Sequence, residues 1–117
     1  MTADTKPRMI QYASWDPMDV RRFLGRHPKS QMVKIEIADD NLDSLLKGIR
    51  KQMCGIRQLS GFILTIILRN EDSLYMSDLV NILEVIGKNS SDVECLWYAS
   101  EDQNADVNFR ISIYVAQ

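Results

Sequence analysis

Residues 61–69, GFILTIILR, are the stretch from which the rest of the chain is read. From Phe62 to Leu68 only Thr65 interrupts the apolar run, so the segment lacks the in–out alternation of a half-wet strand and fits one covered on both faces. Its isoleucines favour extended backbone. Gly61 before it and Asn70-Glu71-Asp72-Ser73 after it supply turn chemistry at both ends. The run is the expected centre of a sheet, with the remaining segments packed on it or paired beside it.

On the N-terminal side, Met32 to Ala38, MVKIEIA, alternates, with Val33, Ile35 and Ile37 on one face and Lys34 and Glu36 on the other. That pattern describes a strand with one wet side, nearer a sheet edge than the central run. Between the two, Leu42, Leu45, Leu46, Ile49 and Met53 recur at helical spacing. Asp39-Asp40-Asn41 offers caps at the start of this helix, and Lys47, Arg50 and Lys51 place positive charge near its end. Further upstream, Asp16 can cap a helix whose first position suits Pro17, with Asp19 adding charge near the positive end of the dipole. Val20, Phe23 and Leu24 form its stripe, and Gly25 and Pro28 end it. Ile10 to Ala13 reads as extended, and residues 1–9 as a mobile tail ahead of one domain, 10–117.

On the C-terminal side, Leu79, Ile82, Leu83 and Ile86 form a third helical stripe, with Asp72, Ser73 and Ser77 as alternative caps and Gly87 as its stop. Val93 to Ala99, VECLWYA, reads as a strand. After the polar turn from Ser100 to Asp106, Val107, Phe109, Ile111, Ile113 and Val115 alternate with Asn108, Arg110, Ser112 and Tyr114. The two earlier strand-to-strand connections are long and helical, which permits parallel pairing, and the short last one predicts an antiparallel hairpin. The fold class is α+β, a two-layer arrangement in the order α-β-α-β-α-β-β with helices packed on a mixed four-stranded sheet.

Composition narrows function. At 117 residues with 45% hydrophobic and 26% charged content, the chain is an ordinary globular domain, and its net charge of -2 gives no electrostatic case for nucleic acid or an anionic membrane. No stretch approaches the roughly twenty apolar residues of a membrane helix, and MTADTKPR lacks the apolar core of a signal peptide. The expected location is the cytoplasm. Cys54 and Cys95, far apart and without a histidine cluster, read as buried reduced thiols and predict no metal site. His27, the sole histidine, reads as a solvated loop residue between Arg26 and Pro28.

Five glycines occur, none in a phosphate-binding pattern, so no nucleotide or other cofactor is expected to bind this chain alone. One histidine and scattered serines assemble no nucleophile, base and orienter. Two acidic pairs remain, Asp16 with Asp19 and Asp39 with Asp40, and on residue chemistry alone both are helix caps.

From Ser14 onward the chain resembles the C-terminal domain of FtsZ, the bacterial tubulin-like GTPase of cell division. That family opens the domain with a loop of pattern Asn-x-Asp-Phe-x-Asp-Val, and here Ser14-Trp15-Asp16-Pro17-Met18-Asp19-Val20 stands in its place. MVKIEIA takes the place of a MAMMGIG-like strand, GFILTIILRN resembles a GILVNITAG-like one, and Leu74 to Leu79 resembles a DLxLxEF motif. The closing strands, with Phe109-Arg110-Ile111 and Val115-Ala116, resemble the family's ExRVTVxAT ending. Ser14 replaces the family's asparagine, Pro17 its aromatic residue, and the glycine of its penultimate strand is missing.

The resemblance implies an FtsZ C-terminal fold without the GTPase half. It implies that Ser14, Asp16 and Asp19 belong to a loop that acts in trans on the nucleotide site of a tubulin-like partner, where the aspartates polarise an attacking water. It further implies a non-enzymatic module that binds such a polymerising GTPase and caps its filament ends. The alternatives are a structural domain that self-associates through its half-exposed strand or its Trp97/Tyr98 surface, and a small-molecule enzyme with Arg110 or Arg57 beside a carboxylate in a deep pocket.

Overall fold

In a computed structural model, residues 12–13, 17–27, 32–88 and 93–117 are described. Their order is β1 (Tyr12–Ala13), α1 (Pro17–Arg26), β2 (Met32–Asp39), α2 (Leu42–Met53), β3 (Gly61–Leu68), a 3-10 turn (Glu71–Ser73), α3 (Met76–Gly87), β4 (Glu94–Glu101) and β5 (Phe109–Ala116). The expected tail, 1–9, and the expected cap, Asp16, lie outside the described residues.

The four long strands and three helices give the expected mixed α+β sheet, with two-residue β1 added at one edge. The strand order is β1-β4-β3-β5-β2, so β3 is central and β2 is an edge, as their apolar patterns indicate. β3 pairs β4 in parallel, and β5 runs antiparallel to both β3 and β2. The expected β4–β5 hairpin does not form, because β3 lies between these strands. Their connection crosses the end of β3, where Asp102 N donates to Leu68 O at 2.7 Å and Arg69 N donates to Asn108 O at 3.1 Å. Ladder bonds to the intervening strand replace those a hairpin would make, and both flanks of β3 are paired.

The two faces of β3 are covered unequally. Phe62, Leu64, Ile66 and Leu68 are buried in one core with Leu45, Ile49 and Met53 of α2 and Leu79, Ile82 and Ile86 of α3. Each helix thus buries the stripe its spacing sets. Phe109, Ile111, Ile113 and Val115 of β5 join the same core. On the opposite face Phe23 of α1, Leu96 and Ala116 form a small cluster against which Ile63 and Met32 pack, and Thr65 and Ile67 remain half-buried. Among the described residues the second face of the sheet is therefore covered less than the first: α1, at ten residues, spans about 15 Å and packs at the Phe23 cluster.

One of the expected caps is used at α2, and none of those expected at α3. At α2, Asn41 is the cap and its side chain accepts from Ser44 N at 3.1 Å, while Asp40 instead accepts from Asn108 N at 2.9 Å. At α3, none of Asp72, Ser73 or Ser77 occupies the cap position: Tyr75 does, and its N–H donates to Asp78 Oδ2 at 2.9 Å. α3 ends at Gly87, but the left-handed residue is the next one, Lys88, at φ 56°. Gly87 stays helical and buried, where it packs near Phe62.

Candidate functional site

The N-terminal end of α1 is where the sequence places the candidate loop. Of its three residues, Asp19 sits in the first turn of α1, half-buried, where a carboxylate is favoured by the helix dipole. Ser14 and Asp16 lie outside the described residues. Pro17 is the first helical residue, as its fixed φ and missing N–H suit.

The other end of α1 holds a cluster not anticipated from sequence. His27 is not a solvated loop residue: its side chain is 12% exposed. The ring packs on Phe23 with centroids 4.3 Å apart, and Nε2 donates to Glu94 Oε1 at 2.9 Å. Arg26 grips the same carboxylate with two nitrogens, Nε reaching Oε1 at 3.1 Å and Nη2 reaching Oε2. The Arg26 bonds foremost, and the His27 bond after them, hold the Glu94 carboxyl below its usual range against partial burial.

Ser60 Oγ lies 3.4 Å from His27 Nδ1 and 3.2 Å from the Ala116 carbonyl oxygen. The order Ser60, His27, Glu94 has the outline of an acyl-transfer triad, but its chemistry differs. The single hydroxyl proton has the backbone carbonyl as its nearer acceptor, and Glu94 is already engaged by Arg26. The set works as an anchor that fixes α1 to the start of β4. Gly61 makes the close approach feasible, since a Cβ there would fall 2.9 Å from Phe23, 3.0 Å from Glu94 O and 3.1 Å from His27 Nε2. Asp19 stands seven residues before Arg26, about 10 Å along the helix axis, so the anchor holds the helix whose first turn carries Asp19. No local pattern marks this cluster, because Glu94 is sixty-seven residues from His27.

Other candidates resolve into structural roles. Arg110 does stand beside a carboxylate, with Nη2 2.8 Å from Asp106 Oδ1, and it holds that carboxyl below its usual range. Both side chains are exposed and occupy no deep pocket. Arg57 is exposed. Cys54 and Cys95 are free but exposed, not buried as expected, because Cys54 follows α2 and Cys95 stands on β4, outside the main core. The Cys95 thiol is pushed up by partial desolvation and by Glu94. Among the described residues no three His, Cys, Asp or Glu side chains converge as metal ligands, and no helix is long and apolar enough to cross a membrane.

No family model matches the sequence, and no curated protein matches it. Among solved structures, the chain is similar to the empty FtsZ dimer of M. jannaschii, at 17% identity and a TM-score of 0.56. The match covers 97% of this chain and 33% of that one, so the chain spans about a third of the FtsZ chain's length. The fold is FtsZ/tubulin-like.

Proposed function

We propose that this chain is a non-enzymatic interaction module that docks on the exposed nucleotide face of a tubulin/FtsZ-like polymerising GTPase, caps its filament ends and alters its turnover. The observation that carries the reading is Asp19 in the first turn of α1, in a domain of FtsZ-like fold, three residues after an Asp16 that matches the family's first aspartate. The anchored α1 supports it, since Asp19 can act on another subunit only if its helix is held in place before docking. The sequence holds no glycine-rich phosphate loop, so the nucleotide in this account belongs to the partner, and Asp16 and Asp19 act on it in trans by positioning water.

A chain docked there occupies the face on which the next subunit would add, and growth at that end stops. The reading needs no cofactor of this chain's own, no nucleic acid and no membrane, and it places the protein with its GTPase partner in the cytoplasm. Co-sedimentation with polymer of the tubulin-like GTPase from the same source tests it. Substoichiometric chain is expected to pellet with the polymer and shorten filaments seen by electron microscopy. A chain that stays in the supernatant and leaves filament length unchanged refutes the proposal.

A further inference from the structure

Among the described residues, strand β2 is an open edge of unusual regularity. Its eight residues pair one-to-one with Phe109–Ala116 without a bulge, and no proline interrupts Met32 to Asp39. Native edges are normally blunted by proline, bulges, shortness or charged side chains, lysine above all. Here the only charged residues on the strand before its last position are Lys34 and Glu36, of opposite sign, flanking Ile35. Both point to the α1 side of the sheet, 3.1 Å apart, and both are well exposed. On the other side, the side of buried Ile35, Val33 is an exposed apolar residue, 39% accessible.

We propose that β2 pairs with β2 of a second copy of this chain, antiparallel and centred on Ile35. In that register Lys34 of each chain lies opposite Glu36 of the other, and Val33 lies opposite Ile37. Two cross-strand ion pairs form, and the exposed Val33 gains an apolar neighbour. The arrangement is selective for its register. Centring one residue earlier sets Lys34 against Lys34, one residue later sets Glu36 against Glu36, and in-register parallel pairing makes both like-charge contacts. The product is a continuous ten-stranded sheet with β1 at both ends and α2 and α3 of both copies on one side.

The inference stands apart from the proposed capping role, because it uses no residue of the Ser14–Asp19 loop and no GTPase. With only one strand from each chain, the interface is small and the dimer weak and concentration-dependent.

Sedimentation velocity of the full chain over about 10 to 500 µM tests it. The native chain is expected to shift from monomer to dimer across that range. Lys34→Glu alone and Glu36→Lys alone are each expected to weaken dimerisation about tenfold, since both ion pairs become like-charge contacts. The double variant K34E/E36K restores native association, and an equimolar mixture of the two single variants forms a heterodimer, because one chain then offers two carboxylates to two ammonium groups. A chain monomeric at every concentration overturns the proposal. So does a dimer that Lys34→Glu leaves unchanged, or a mixture that stays monomeric.

Discussion

His27 Nε2 lies 2.9 Å from Glu94 Oε1, and this contact joins the C-terminal end of α1 to the first residue of β4. With Arg26 on the same carboxylate, it fixes the helix that packs on the second face of the sheet and carries Asp19 at its far end. The energetic consequence is pH-dependent. Glu94 is depressed in the folded state, so the stability it contributes is present above its ordinary value of 4.5 and is lost as the pH falls through the lower folded value. A Glu94→Gln variant is expected to be less stable than the native chain at pH 7 and to converge with it below that window. Urea unfolding at a series of pH values measures this. His27→Ala, which removes a hydrogen bond to a charged group together with a ring contact, is expected to cost about 1 to 3 kcal/mol at pH 7.

Two glycines should respond in opposite directions. At Gly61 an added Cβ meets Phe23, the Glu94 carbonyl and His27 at 2.9 to 3.1 Å, and the backbone oxygen cannot swing aside. Gly61→Ala is expected to destabilise by about 1 to 3 kcal/mol. At Gly25, inside α1 with nothing within 4 Å, Ala is expected to stabilise by about 0.5 to 1 kcal/mol through helix propensity. Thermal unfolding of the two variants checks the sign of each.

The unequal faces of β3 give a second pair. Leu64 is fully buried beneath α2 and α3, and Leu64→Ala is expected to cost about 2 to 5 kcal/mol. Thr65, its neighbour on the half-covered face, is expected to lose less than about 1 kcal/mol on substitution by Ala. Equal losses at both positions in denaturant titrations would contradict the asymmetry.

At α2, Asn41 caps the first turn through Ser44 N. Asn41→Ala is expected to cost about 1 kcal/mol, and Asn41→Ser or Asn41→Asp to recover most of it. The same unfolding assay reads all three.

Much of the fold is legible in the sequence because its burial is periodic. The unbroken run Phe62–Leu68 marks the central strand, alternating Val33, Ile35 and Ile37 mark an edge, and the stripes of α2 and α3 fall where their spacing puts them. What periodicity does not encode is neighbour choice. A short polar connection from β4 to β5 reads as a hairpin, yet it is long enough to step over the end of β3, and no residue within it says so. The caps of α3 were obscured by three equivalent polar candidates, none of which is used.

The candidate site divides the same way. Pro17 and Asp19 carry local helix-start chemistry, and the helix begins where they indicate. The anchor of Arg26 and His27 on Glu94 depends on which strand ends up beside α1, so neither end of it is marked in sequence. Cys54 and Cys95 illustrate the limit of residue averages: cysteine is usually buried, but one follows a helix end and the other stands on a strand beyond the main core.

The most direct test of the account is the GTP turnover and subunit exchange of the tubulin-like GTPase from the same source, measured with the native chain and with the Asp16→Asn, Asp19→Asn double variant. The native chain is expected to slow exchange and change turnover at substoichiometric ratios. The double variant is expected still to bind, but to have lost the effect on hydrolysis at the capped end. If native chain and variant leave both rates unchanged, the aspartates are helix-start residues alone, and the FtsZ-like fold serves another purpose.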